Sequence, residues 1–150
     1  MRVYLVIMDE SEEAKRALRF ASRRAAKTGG TVNILALVAK QNFNAFGGVQ
    51  ATIEEEARDR AEVLATSAAG SIFAESGKMP SIAVLIGDGQ TVIKEYLGDH
   101  PEVAALVLGA AAEGGSGPLV SHFTATAGAL PCPVYVVPGG LDNDAIDALA

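Results

Sequence analysis

The chain has 150 residues, a length typical of one domain. Apolar residues make up 49% of it and charged residues 20%, which excludes a disordered chain. Its net charge of −6 disfavours a nucleic-acid binder, because such domains are usually basic.

Strand-like and helix-like segments alternate along the chain. Five short apolar runs are typical of strands that are covered on both faces. They are Val3–Met8, Thr31–Val38, Pro80–Ile86, Val103–Leu108 and Val134–Val137. Between them, apolar residues recur at helical spacing. The predicted helices are one that starts near Asp9 or Ser11 and ends at Gly29 and Gly30, then Thr52–Phe73, Gln90–Leu97 and Leu119–Leu130.

This alternation predicts a single α/β domain. Right-handed crossovers make it a doubly wound five-stranded parallel sheet with helices on both faces. We place the domain at residues 1–138 and predict that residues 139–150, with three aspartates, form an acidic tail that frays. The segment Ala39–Gly48 is also predicted to be poorly ordered.

The first residues already form a strand pattern and lack the features of a secretion signal. The apolar runs are shorter than a membrane span requires. We therefore expect a cytoplasmic protein that contacts neither membrane nor nucleic acid.

Three features fall at the carboxyl ends of predicted strands, where open parallel sheets bind ligands. Asp9 follows the first strand, Val38 ends the second, and Gly109 opens the loop after the fourth. The further candidates in and after that loop are Gly114, Gly115, Gly117 and Ser121. Glycines allow backbone N–H groups to turn toward a phosphate, so these residues predict an anion site.

Each candidate also has a simpler interpretation. Asp9 either caps the first helix alone or also contacts a ligand. The glycines from Gly114 to Gly117 form either a phosphate loop or a flexible connector. Glu113 and the lack of Lys or Arg between Gly109 and Ser121 disfavour a phosphate.

Catalytic groups are not predicted. Ser116 lacks the Gly-x-Ser-x-Gly elbow of serine hydrolases, because Pro118 stands at the second glycine. The single cysteine, Cys132, lies between two prolines and is interpreted as a packed thiol. No cluster of Cys or His predicts a metal site.

Four segments form a series that runs over nearly the whole chain: Leu5–Ser11, Val84–Asp88, Ala105–Gly109 and Pro131–Val137. In order and spacing they resemble the universal stress protein family. The resemblance implies an adenine nucleotide alpha-hydrolase-like, Rossmann-like sandwich. It also implies a homodimer through the last strand, with residues Val134, Tyr135, Val136 and Val137.

Many members of that family bind ATP or AMP, and others do not. By position, Asp9 and Val38 match the family's contacts to the base. Gly109 matches the first glycine of a Gly-x2-Gly-x9-Gly-Ser/Thr loop for ribose and phosphates, and Ser121 matches its final hydroxyl.

This sequence departs from that pattern. Ala112 and Val120 stand where the loop has glycines, and the loop is shorter. Glu10 replaces the usual glycine after Asp9. We therefore expect a non-enzymatic stress-response or regulatory domain with a weakened adenine-nucleotide pocket and a protein partner that it regulates. Two alternatives stay open: an interaction dimer without nucleotide, and a nucleotide sensor with slow ATP turnover.

Overall fold

The computed structural model describes residues 2–40 and 47–150. Within these ranges it has five strands: β1 (Val3–Met8), β2 (Thr31–Val38), β3 (Ser81–Ile86), β4 (Val103–Ala110) and β5 (Val134–Pro138). The α-helices in the same ranges are α1 (Glu12–Thr28), α2 (Gly47–Ser76), α3 (Gly89–Asp99), α4 (Pro118–Ala125) and α5 (Asn143–Leu149).

The strands form one parallel sheet in the order β3-β2-β1-β4-β5. The chain steps outward from β1 to β3, then returns to place β4 on the other side of β1. The predicted doubly wound α/β fold is therefore confirmed. Strand order reverses between β1 and β4, and ligands of such sheets bind outside the carboxyl ends of the strands at this point.

Helices cover both faces of β1, which explains its uninterrupted apolar run. Tyr4, Val6 and Met8 join a core cluster with residues of α1 and α2. Leu5 and Ile7 join a second cluster with residues of α3 and α4. All five side chains are at most 5% exposed.

Helix α1 packs on the sheet through a stripe of small side chains. Its buried residues are Ala14, Ala17, Ala21 and Ala25. Alanine carries nothing beyond Cβ, so the helix lies close to the strands. Ser11 is the N-cap, because its Oγ accepts a hydrogen bond from the Ala14 N–H at 3.2 Å.

Helix α4 is shorter than the predicted helix Leu119–Leu130. It ends at Ala125, and a 3₁₀ turn at Ala127–Ala129 follows. The Thr126 hydroxyl donates to the His122 carbonyl at 3.0 Å, and the Thr126 N–H bonds the same oxygen. After it the bonds span three residues, from the Ala129 N–H to the Thr126 carbonyl and from the Leu130 N–H to the Ala127 carbonyl, as in a 3₁₀ turn.

The predicted low-order segment Ala39–Gly48 is only partly described. Residues 41–46 of it lie outside the described residues, and its last two residues begin α2. None of the helices in the described ranges is long and apolar enough to cross a bilayer.

The prediction that residues 139–150 fray is wrong. This segment contains α5, which packs on α1. Asp142 caps α5 by accepting a hydrogen bond from the Ala145 N–H at 2.8 Å, and Ile146 is fully buried. The acidic segment thus contains a capping residue, Asp142, and a buried apolar residue, Ile146.

An ion pair joins α5 to α1. Arg19 donates two hydrogen bonds to the Asp147 carboxylate, at 2.8 and 2.7 Å. Arg23 approaches the same carboxylate at 3.3 Å. The Arg19 hydrogen bond lowers the pKa of Asp147, against a smaller opposing effect of burial.

Replacing Asp147 with Asn will destabilise α5 against α1 because it removes the charge that faces Arg19 and Arg23. The folded-state pKa of Asp147 lies below its unfolded value. Its stabilisation is therefore present above about pH 4 and is lost as the pH falls through the folded pKa. Thermal melts between neutral and acidic pH will show wild type and variant converging at low pH.

Asp144 provides the control, since it is exposed on the same helix. The variant Asp144→Asn removes the same charge and should leave the melting temperature nearly unchanged. Equal effects of the two substitutions would show that general charge, rather than the Arg19 pair, holds α5.

Candidate functional site at the carboxyl edge of the sheet

Two clefts open at the carboxyl edge, and Asp9 lines both. The α2-side cleft encloses about 240 Å³. Its lining residues are Met8, Asp9, Glu10, Leu37, Val38, Ala39, Ala57, Arg60, Ala61 and Leu64. The loop-side cleft encloses about 120 Å³. Its lining residues are Ile7, Asp9, Ser11, Glu13, Ala14, Leu108, Gly109, Ser116, Gly117, Pro118, Leu119 and Val120.

The structure thus brings together four of the predicted site residues. Asp9 and Val38 share the α2-side cleft, and Asp9, Gly109 and Gly117 share the loop-side cleft. These residues come from three strand ends and one loop, so only the parallel sheet makes them neighbours.

Asp9 is oriented by the turn that starts α1. Its Oδ1 accepts hydrogen bonds from the Ser11 N–H at 2.8 Å and from the Ser11 hydroxyl. Ser11, not Asp9, caps the helix. Among the described residues, no partner takes the second carboxylate oxygen, Oδ2. The exposed carboxylate therefore has a fixed direction and, within residues 2–40 and 47–150, one acceptor oxygen without a partner.

Gly109 is required by packing, whether or not a ligand binds. A Cβ at this position would lie 2.1 Å from the Glu13 carbonyl oxygen and 2.5 Å from its carbon. The first turn of α1 therefore presses its backbone against the end of β4. Only glycine permits this approach.

The loop glycines are required by backbone conformation. Gly114, Gly115 and Gly117 have φ values of 76°, 90° and 100°. These values lie in the region that favours glycine. The Ala111 N–H donates to the Ser116 carbonyl at 3.3 Å and closes the loop. It is therefore a defined turn rather than an unstructured connector.

Three predicted site residues do not line either cleft. Gly114 and Gly115 are exposed at the loop tip. Ser121 is exposed on α4, and its N–H already donates to the Gly117 carbonyl at 3.1 Å. Their roles in ligand binding stay predictions.

Sequence reasoning missed an ion pair beside the α2-side cleft. Arg60 Nε lies 3.6 Å from Glu10 Oε1, and both residues line the cleft. Their side chains are 62% and 78% exposed. Helical spacing offered a signal, because Arg60 lies one turn after Ala57, which lines the same cleft.

A larger cavity of about 290 Å³ lies at the opposite edge, where Val32, Ile72 and Met79 help to line it. Lys78 Nζ donates there to the Gly29 and Gly30 carbonyls, at 3.3 and 3.4 Å. The cavity lies at the amino ends of β2 and β3, away from the strand ends where sheets of this class bind ligands.

The cysteine and both histidines make packing contacts. Burial raises the pKa of the Cys132 thiol, which packs against the core cluster on the α3 and α4 face. His100 stacks on Tyr96 with ring centroids 3.8 Å apart, and its Nδ1 bonds the Tyr96 carbonyl. His122 meets Phe123 edge to face.

The structure is that of a doubly wound α/β protein with two clefts at the β1–β4 switch point, where sheets of this class bind ligands. The sequence profile of the universal stress protein family matches residues 1–138. The chain belongs to this family. No curated protein sequence matches it significantly.

Solved structures share the fold. The universal stress protein UspA from Lactobacillus plantarum has a TM-score of 0.75 at 21% identity, covering 91% of this chain and 97% of its own. A universal stress protein in complex with cAMP has a TM-score of 0.62 at 15% identity, with 91% and 96% covered. A family protein from Arabidopsis thaliana with AMP bound has a TM-score of 0.58 at 18% identity, with 92% of each covered.

Substituting Gly109 with Ala will destabilise the domain by roughly 1–3 kcal/mol, because the added methyl collides with the Glu13 backbone. Urea unfolding measures the loss.

The matched control is Gly98→Ala. Gly98 lies in α3 with nothing within 4 Å of the added Cβ. Alanine should be neutral there or stabilise by up to about 1 kcal/mol. A Gly109→Ala variant as stable as wild type would contradict the close approach of α1 to β4.

Proposed function

We propose that this universal stress protein is a non-enzymatic regulator that binds an adenine nucleotide weakly at its carboxyl edge. Nucleotide binding would signal the concentration of the nucleotide to a protein partner. The observation that carries the proposal is the position of Asp9 between two clefts, with Val38 beside it on one side and Gly109 on the other.

Asp9 suits the adenine amino group. The N6 amino group of adenine is a hydrogen-bond donor. Ser11 holds Asp9 through Oδ1, and Oδ2 would accept from N6. Val38 is 4% exposed and would contact the base through its apolar surface.

The size of the clefts supports a compact ligand. Pockets for small molecules usually start at roughly 300 Å³, and each cleft is smaller, at about 240 and 120 Å³. A nucleoside would need both, with the base in the α2-side cleft and the ribose toward Gly109. Its two halves would then meet at Asp9. The neighbours that hold AMP and cAMP support an adenine ligand.

We propose that the protein does not hydrolyse ATP, because of the surroundings of its histidine and cysteine side chains. His100 follows α3 and lies just before β4, at the opposite edge of the sheet from Asp9. The raised pKa of Cys132 keeps its thiol protonated. ATP incubated with the protein should therefore stay intact over the time of a binding measurement.

The variant Asp9→Asn tests the base contact. Asparagine keeps an oxygen for Ser11 but turns an amide NH₂ toward the N6 donor, so affinity for AMP should fall roughly tenfold. Isothermal titration calorimetry with AMP and ATP measures it.

The control is Asp88→Asn. Asp88 caps α3 by accepting from the Thr91 N–H at 3.2 Å and lines neither cleft. The substitution should leave the affinity for AMP and ATP unchanged. No heat and no thermal shift with any adenine ligand at millimolar concentration would refute the proposed binding.

We also propose that the protein forms a homodimer through β5. This strand pairs only with β4 among the described residues, so its outer edge is free. Val136 on it is 37% exposed. A free apolar edge strand favours pairing with another chain.

The variant Val136→Lys should shift the protein from dimer to monomer, because a lysine on the edge charges the interface. Light scattering after size-exclusion chromatography gives the mass. Val63→Lys is the control, since Val63 is 70% exposed on α2. A wild-type monomer at micromolar concentration would refute the dimer.

A further inference from the structure

The outer edge of β3 is available for pairing. β3 pairs with β2, and among the described residues no other strand lies beside it. The Gly87 N–H, directly after β3, donates to the Val38 carbonyl of β2 at 3.0 Å. Successive residues of a strand turn their backbone groups to opposite sides, so those of Ile82, Val84 and Ile86 point away from β2. An added strand can bond to them.

β3 lacks the features that usually prevent an edge strand from pairing. Natural edge strands carry charged residues, prolines or bulges for this purpose. β3 has the sequence Ser-Ile-Ala-Val-Leu-Ile, without a charged residue or a proline, and its register with β2 is continuous. Ile82 and Leu85 are each 38% exposed. An added strand would remove this apolar surface from water.

A groove lies between β3 and α3. Helix α3 packs over the centre of the sheet, where its Ile93 shares a core cluster with Leu5 of β1 and Leu35 of β2. Beyond this contact, β3 and α3 line a groove of about 520 Å³. Leu85 lines it on the α3 face of the sheet, the face on which Ala83 packs against the same cluster. The groove therefore follows the free edge of the sheet.

The α3 wall of the groove is held in place from within the domain. Tyr96 and His100 line the groove, and their rings stack with centroids 3.8 Å apart. The buried Asn33 donates from Nδ2 to the Tyr96 hydroxyl at 3.1 Å. A partner would thus meet a wall that is already ordered, which lowers the entropic cost of binding.

The groove has a negative charge. Glu95 and Asp99 lie one turn apart on α3, are exposed, and line the groove, whereas no Lys or Arg is among the described residues that line it. Neither carboxylate takes part in an ion pair within residues 2–40 and 47–150. This charge favours a basic occupant. It disfavours a second copy of the chain, which would bring the same two carboxylates and a net charge of −6.

From these observations we infer that the groove between β3 and α3 is the docking site for a basic, extended segment of a partner protein, which adds to β3 as a further strand. Side chains of the added strand alternate between the two faces of the sheet. Basic side chains on the α3 face meet Glu95 and Asp99, and apolar side chains on the other face lie beside Ile82. The inference specifies where the partner in the proposed function docks, and this docking requires no nucleotide.

A short labelled peptide in which lysine and valine alternate is the probe. Fluorescence anisotropy with the full chain, at low salt and without nucleotide, should give a dissociation constant below about 100 μM. In one control peptide glutamate replaces lysine. In the other, proline replaces valine, which keeps the charge but removes N–H donors. Both should bind at least about tenfold more weakly. Absence of binding by the lysine peptide, or equal binding of the proline peptide, would overturn the inference.

The double variant Glu95→Gln, Asp99→Asn tests the charge of the groove. It should weaken binding of the lysine peptide about fivefold and leave the melting temperature nearly unchanged, because both side chains are exposed. The matched control is Glu55→Gln, Asp59→Asn, which removes two exposed carboxylates at the same spacing on α2, outside the groove. Equal effects of the two double variants would show that net charge attracts the peptide and would overturn the assigned groove.

Amide hydrogen exchange locates the bound peptide. With saturating lysine peptide, the amides of Ile82 and Val84 should exchange more slowly, because they point to the added strand. The Val136 amide is the control at the other edge of the sheet. There the Leu106 N–H donates to the Pro133 carbonyl, so alternation turns the backbone of Val136 away from β4. Slower exchange at Val136 and not at Val84 would overturn the inference.

The variant Leu85→Lys distinguishes a partner segment from a second copy. The lysine places a positive charge in the groove, so the lysine peptide should bind at least about fivefold more weakly while the mass of the protein in solution stays the same. Val63→Lys, on the exposed side of α2, is again the control. A mass that falls in Leu85→Lys alone would show that the β3 edge holds a second copy and would overturn the inference.

Titration with AMP separates this inference from the proposed nucleotide binding. If AMP binds and the lysine peptide does not, only the docking site at β3 fails. If the peptide binds β3 and no adenine ligand binds, the nucleotide part of the proposed function fails and the docking site stands.

Discussion

The approach of α1 to the end of β4 sets the geometry of the carboxyl edge. The Glu13 backbone occupies the space where a side chain at position 109 would lie. This contact holds the turn of Asp9 and Ser11 beside the loop that leaves β4. Because α1 meets the sheet through alanines, no larger side chain separates these parts. The loop-side cleft is consequently narrow, at about 120 Å³.

Because of the contact between α1 and β4, Gly109 has two interpretations. Gly109 matches the family's nucleotide loop by position, yet its lack of a side chain is explained by packing alone. A glycine kept for helix packing would stay even where ligand binding had been lost. Recognition of a ligand would therefore depend on Asp9 and Val38, which line the α2-side cleft.

Much of the fold could be predicted because each strand is a continuous apolar run, which marks burial on both faces. The candidate site was harder to predict from the sequence. Strand ends predicted Asp9 and Val38, but Arg60 lies on a helix, and only the packing of α2 brings it to Glu10. The tail was misjudged for a related reason. Its aspartates predicted a solvated segment, because the sequence alone does not show that Arg19 and Arg23 of α1 lie next to Asp147.

The carboxyl edge combines small clefts with a lining in which Asp9, Glu10 and Glu13 outnumber Arg60. Two small clefts meet at Asp9, and the exposed Gly114 and Gly115 at the loop tip line neither of them. A loop with the family's glycines and basic groups would attract a phosphate chain. Here residues 110–120 contain Glu113 and no Lys or Arg, and Arg60 lines the α2-side cleft instead. The clefts at the strand ends are therefore present although the loop departs from the family's glycine pattern.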